Sequence, residues 1–206
     1  MRTVAKLSNT DRWTAVIAAV VIVAATAVGV AAVLAGRDTT PSGMGPGRMA
    51  HQGARVTSES DYLAEMVAHH REAVDAAGEL ARSDRAEMRA FGDAIVRTQS
   101  DQIRQMETWL RDWYPQQPAA DYRPMMRDLS GLSGDELDRA FLRDMIGHHM
   151  AAVMMSQHLL RAGTEHDDVA RLARSIRDDQ HAEILRMQRW LAEWFDEDWR
   201  DSRNMM

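Results

Sequence analysis

Two short stretches set imidazole and thioether side chains at helical spacing. "EMVAHHREA" carries Met66, His69 and His70, and "DMIGHHMAAVMM" carries Met145, His148, His149 and Met155. Residues at i, i+3 and i+4 share one helix face, so each Met-x-x-His-His presents three soft or borderline donors together. The chain has no cysteine, so thiolate sites, disulfides and CxxCH haem attachment are all absent. Neutral imidazole with thioether and few carboxylates suits Cu(I), tolerates Cu(II) at the histidines, and is poor for Mg or Ca. Zinc held by three or four histidines is compatible with the same spacing. A di-iron centre is not favoured, because Met66 and Met145 stand where Glu-x-x-His would need glutamate.

The two motifs belong to a longer repeat. "YLAEMVAHHREAVDAAGEL" from Tyr62 aligns with "FLRDMIGHHMAAVMMSQHL" from Phe141. "IVRTQSDQIRQMETWLRDWY" from Ile95 aligns with "IRDDQHAEILRMQRWLAEWF" from Ile176. In the second segments Met88, Phe91, Ile95, Gln99, Gln102, Met106, Trp109 and Trp113 recur every three or four residues. Their counterparts Val169, Leu172, Ile176, Gln180, Glu183, Met187, Trp190 and Trp194 do the same, the spacing of a buried helical stripe. Each copy therefore reads as a helical hairpin. Helix starts are expected at Ser133 with Glu136 as a capping box, at Ser58 with Asp61 more weakly, and at Thr164.

Between the copies, "PQQPAADYRPMMRDLSGLSG" has three prolines and two glycines and reads as a crossover loop. The expected fold is an all-α four-helix bundle at residues 58–200, with hairpin 1 at 58–115, the crossover at 116–134 and hairpin 2 at 135–200, before a tail at 201–206. Residues equally far from a hairpin turn lie level, which sets His70 against Gln99, His149 against Gln180, and His148 against His181. Pseudo-twofold symmetry would then gather the four histidines, Gln99, Gln102, Gln180 and Glu183 into one polar layer. Met66, Met145, Met106, Met155 and Met187 would lie beside it, with Met88, Met106 and Met187 equally explained as core packing. Glu65 and Asp144 are expected at the solvent face or bundle edge.

The rest of the chain bounds the setting. Hydrophobic residues make up 45%, aromatics 6%, and the formal charge is -6 with Arg interleaved among Asp and Glu. No basic stripe emerges, so nucleic acid is not an expected partner. Residues 13–36 carry no charge and would span about 36 Å as a helix, enough for the roughly 30 Å hydrocarbon core. Arg2, Lys6 and Arg12 flank it on the N-terminal side (1–12), which places the N-terminus in the cytoplasm and the main domain outside, on a single-pass membrane anchor. A cleaved signal peptide ending at Val33-Leu34-Ala35 is the rival, although the apolar run is longer than a signal core. Residues 37–57, rich in Gly, Pro and small polar residues, read as a flexible linker on which Met44, Met49 and His51 sit as solvated residues or a metal-capture arm.

The repeated Met-x-x-His-His, followed by Gln180, Glu183, Ile184 and Met187 in a Q-x-x-E-I-x-x-M pattern, resembles the domain-of-unknown-function 305 family over about residues 58–196. That resemblance implies a ferritin-like four-helix fold in a bacterial extracytoplasmic protein, and copper handling, since some members are described as copper-binding and linked to copper tolerance. His69, His70, His148, His149, Met66, Met145 and Met155 stand on the family's motif positions. Ala76 replaces Met155's counterpart and Gln102 replaces Glu183's, so hairpin 1 is expected to be the weaker half-site.

The leading expectation is a membrane-anchored copper buffer or chaperone, with metal as its partner and any protein partner in metal transfer left unnamed. No nucleophile constellation or phosphate loop suggests an enzyme. The rivals are a structural bundle whose histidines only hydrogen-bond and would respond to pH as they protonate, and non-covalent haem between His and Met, for which there is little aromatic lining.

Overall fold

The computed structural model describes residues 57–199. Four long helices make up the chain there: α1 Glu59–Gly78, α2 Ala86–Trp113, α3 Gly134–Ala162 and α4 Asp167–Phe195. A 3-10 turn, Glu79–Arg82, continues α1 into the first hairpin bend. No strand occurs among the described residues. The anticipated span 13–36, residues 37–56 of the linker with Met44, Met49 and His51, and the tail lie outside the described residues. Among the described residues no helix is long and apolar enough to cross a membrane.

The helix ends differ from the anticipated caps. Ser58 does cap α1, its Oγ accepting from Asp61 N at 3.0 Å, and Asp61 Oδ2 accepts in return from Thr57 N at 3.3 Å. Ser133 precedes α3 but its side chain makes no capping bond. The residue that caps α4 is His166, not Thr164. The two amides just before its first turn are satisfied from another helix, since Glu59 Oε2 of α1 accepts from Glu165 N at 2.7 Å and His166 N at 3.1 Å. A carboxylate at a helix N-terminus satisfies orphan donors and complements the macrodipole, so Glu59 stitches hairpin 1 to hairpin 2. Gly163, at φ 95°, ends α3, a conformation that an L side chain would strain.

The crossover between α2 and α3 is strapped to the bundle. Arg127 Nε and Nη2 donate to Asp144 Oδ2 and Oδ1 at 2.6 and 2.8 Å. Arg82 donates to the carbonyls of Leu129 and Leu132 at 3.0 and 2.6 Å. Of the two settings expected for Glu65 and Asp144, the solvent face fails, as both are buried, and the bundle edge beneath the crossover remains. The crossover covers the face they occupy, a path that periodicity alone does not reveal.

The apolar core is divided. One cluster holds Ala73, Leu80, Met88, Phe91, Ile95, Phe141, Met145, Ile184, Met187 and Leu191. The other holds Tyr62, Leu63, Met66, Met106, Met155, Leu159, Val169 and Ile176. Along every helix the change from one cluster to the other falls at a buried polar residue: His69 and His70 on α1, Gln99 on α2, His148 and His149 on α3, and Gln180 on α4. A polar stratum thus crosses the middle of the bundle, where unsatisfied groups cost about 1–3 kcal/mol each.

Candidate metal centre

All four histidines of the stratum are fully buried. His69 and His148 meet across the hairpins, ring centroids 3.6 Å apart and tilted 34°. Within each pair the rings are farther apart, 6.2 Å for His69 and His70 and 6.1 Å for His148 and His149. His69 Nε2 donates to the His148 carbonyl at 3.0 Å. His70 Nε2 donates to Gln102 Oε1 at 2.8 Å, and His149 Nε2 to Glu183 Oε2 at 2.6 Å. These partners sit one turn beyond Gln99 and Gln180, the residues expected opposite. Helical side chains lean toward their own N-terminus, which in an antiparallel hairpin carries them toward the C-terminal end of the partner helix.

His148 breaks the symmetry. Its Nε2 lies 3.3 Å from Glu72 Oε2 without hydrogen-bond alignment. Glu72 stands where the second copy has Ala151, so His69 has no equivalent carboxylate. Glu72 also accepts from the Tyr122 hydroxyl and, through Oε1, from Met125 N at 2.7 Å and Met126 N at 2.8 Å. The edge of Tyr122 packs on His69, centroids 6.1 Å apart. Burial raises the Glu72 carboxyl, but His148, Tyr122 and the Met126 amide outweigh it and hold the group below the usual carboxylate range. Sequence reasoning missed Glu72; the signal available was its replacement by Ala151 in an otherwise matched helix.

The four Nε2 atoms therefore face acceptors: a carbonyl, an amide oxygen and two carboxylates. An imidazole that donates through Nε2 keeps its lone pair on Nδ1. None of the four Nδ1 atoms has a hydrogen-bond partner, nor do Gln99 Oε1 and the Gln180 amide atoms. Burial also disfavours the charged form of His69, His70 and His148. It pushes His69 well below the ordinary histidine range, with His148, His70 and His149 adding to the shift. It takes His70 down to about 3 against the opposing Gln102 bond, and lowers His148 despite Glu72. Buried, unpartnered Nδ1 atoms on all four rings, with the lone pair fixed there for His69, His70 and His149 by their Nε2 bonds, are a costly arrangement in a folded core and a suitable one for metal ligands.

The thioethers divide between the two sides of the stratum. Met66, Met106 and Met155 lie on one side, Met145 and Met187 on the other, all fully or almost fully buried. Met155 belongs to hairpin 2, yet it joins the side that carries Met66 of hairpin 1. The missing thioether at Ala76 thus does not impoverish that side. His181 is exposed and outside the stratum, because it stands one residue, about 100° of helix rotation, from buried Gln180. Glu183 supports His149 through Nε2. Among the described residues no group of three or more His, Asp or Glu side chains could hold a metal ion together. The four histidines share a layer without sharing one centre, so each ion would draw on imidazole and thioether together.

The family profile described as "Domain of unknown function (DUF305)" matches residues 59–191. The chain belongs to this family. Among solved structures, CopM in its Cu(I)-bound form is 31% identical, with a TM-score of 0.60, and the match covers 67% of this chain and 98% of CopM. The Cu(II)-bound form gives 30% identity and 0.60 over the same shares. A DUF305 fragment from Deinococcus radiodurans is 33% identical, with a TM-score of 0.58, over 66% of this chain and 95% of that one. No curated protein matches the chain. The resemblance to DUF305 read from the repeated histidine motif is shown, and the all-helical bundle with it.

Proposed function

We propose that this DUF305 protein binds copper as cargo, holding Cu(I) through histidine Nδ1 and methionine sulfur in the mid-bundle stratum. The observation that carries this reading is the set of four buried imidazoles whose Nε2 atoms face acceptors and whose Nδ1 atoms have no partner. His69 and His70 with Met66, and His148 and His149 with Met145, form two related half-sites. Met155 and Met106 stand on the Met66 side, Met187 on the Met145 side, and Glu183 orients His149. Imidazole with thioether favours Cu(I), and the lack of a three-ligand nitrogen and oxygen group among the described residues gives no support to zinc or a di-iron centre. The relatedness to CopM, which has been solved with Cu(I), Cu(II) and Ag bound, supports the same choice.

A buffer or chaperone fits better than an enzyme, since the histidines are buried and no nucleophile accompanies them. We further propose extracytoplasmic placement, with residues 13–36 as a single-pass anchor and the crossover as a ferritin-like connection. The competing reading, histidines serving only as core hydrogen-bonders, leaves the four Nδ1 atoms unexplained.

The test is thermal unfolding of the full chain with and without Cu(I) under reducing conditions, beside a His148→Ala, His149→Ala variant. A ligand at 100 times its dissociation constant adds about 2.7 kcal/mol, several degrees for a domain of this size. Copper should raise the wild-type midpoint and act less on the variant. Equal response, or none, would favour the structural reading.

A further inference from the structure

Apart from the stratum, a second group of thioethers collects where the crossover meets α3. Met125 is buried against Ala151 and half-buried Met150, in a small cluster that adjoins the Phe91 half of the core, on which Met150 and Met126 also pack. Half-buried Met126 follows Met125 in the chain, and Met154, 44% exposed, lies one turn along α3 from Met150. Core filling does not account for exposed Met154. In the first copy, Met150 and Met154 correspond to Arg71 and Asp75, both solvent-facing charged positions. The second copy has exchanged charge for thioether on an outward face.

This group is joined to the stratum by one carboxylate. Glu72 Oε1 holds the backbone of Met125 and Met126 at 2.7 and 2.8 Å, while Oε2 stands 3.3 Å from His148 Nε2. Met150 directly follows His149 in α3. A cation arriving at these sulfurs would meet soft, uncharged donors beside an anion that already touches the buried site, and thioether ligands select soft monovalent ions.

We propose that Met125, Met126 and Met150 form an outer soft-metal site that takes up Cu(I) before it reaches the histidine stratum, with Met154 at its solvent edge. Transfer inward is ligand exchange without electron transfer: sulfur ligands release Cu(I) as imidazole and the inner thioethers bind it. This transfer rests on the copper reading of the stratum; the outer site itself does not.

The test uses the full chain with methionine methyl groups labelled for NMR, titrated with Ag(I) as a redox-inert soft ion. Met125 and Met150 methyl signals should shift in the wild type and also in the His148→Ala, His149→Ala variant. Replacing Met125, Met126 and Met150 by Leu preserves apolar volume and should slow Cu(I) uptake from a competing chelator by about tenfold, the lower range for loss of supporting metal contacts. Unmoved Met125 and Met150 signals during Ag(I) uptake, or unchanged uptake by the leucine variant, would overturn the outer site. If those signals respond while the histidine variant binds as much metal as wild type, the outer site stands and the reading of the stratum falls. If only the inner methionines and histidines respond, the reverse holds.

Discussion

His149 Nε2 donates to Glu183 Oε2 at 2.6 Å, whereas its repeat counterpart His70 donates to Gln102 Oε1 at 2.8 Å. A carboxylate makes the imidazole a stronger base than an amide does, and such outer partners are worth about 10–100-fold in metal affinity. Glu183→Gln should therefore weaken Cu(I) binding at the His149 half-site by about tenfold or more, and Gln102→Glu should strengthen the His70 half-site. Competition titration of each variant against a Cu(I) chelator measures both shifts.

The thioethers can be separated from packing. Met66→Leu with Met145→Leu conserves volume and should cost less than about 1.5 kcal/mol per site in stability. Cu(I) affinity should nevertheless fall by more than about tenfold, while Cu(II), which relies on imidazole, changes less. Equal losses for both oxidation states would assign these methionines to the core.

Acid should destabilise the metal-free protein earlier than its carboxylates require. His69, His70 and His148 have folded pKa values below their unfolded value of 6.5, so below that pH the unfolded chain binds protons that the native chain does not. Stability is then level above about pH 6.5 and falls as pH drops, for His70 until about 3, by about 1.4 kcal/mol per pH unit for each such histidine. Glu72 and Glu59, both lowered, act in the same direction below the ordinary glutamate value of 4.5. Urea midpoints at pH 7.5, about 6 and about 5 would display the slope, and Gln in place of His69 and His70 should flatten it.

Gly92 tests the packing of the first hairpin. Alanine normally stabilises a helix interior by about 1 kcal/mol over glycine. Here a Cβ would lie 2.6 Å from the Ala77 carbonyl oxygen and 2.9 Å from Leu80 Cβ. Gly92→Ala should instead destabilise by about 1–3 kcal/mol, read from the urea midpoint.

Much of this was legible in the sequence because it depends on local periodicity. The helical stripes, the repeat, and the inward direction of His69, His70, His148 and His149 follow from spacing, and all four are buried. What the crossover does was not legible. Glu72 and Asp144 acquire their roles only when residues 122–127 pass over α1 and α3, a contact between segments far apart in the chain. His181 was misplaced because level matching fixes height along the bundle but not rotation about the helix axis. Glu59, whose carboxylate caps a helix from the other hairpin, gave no local signal at all.

The most direct measurement is nitrogen-15 NMR of the histidine rings in the full chain, without metal and with Cu(I). In the metal-free protein the expected result is a proton on Nε2 and a bare Nδ1 for His69, His70 and His149, as their Nε2 acceptors require, and on loading, a shift confined to Nδ1 of the ligating rings. Rings protonated at Nδ1, or Nδ1 signals that stay put while copper binds, would contradict the assignment of these lone pairs to the metal.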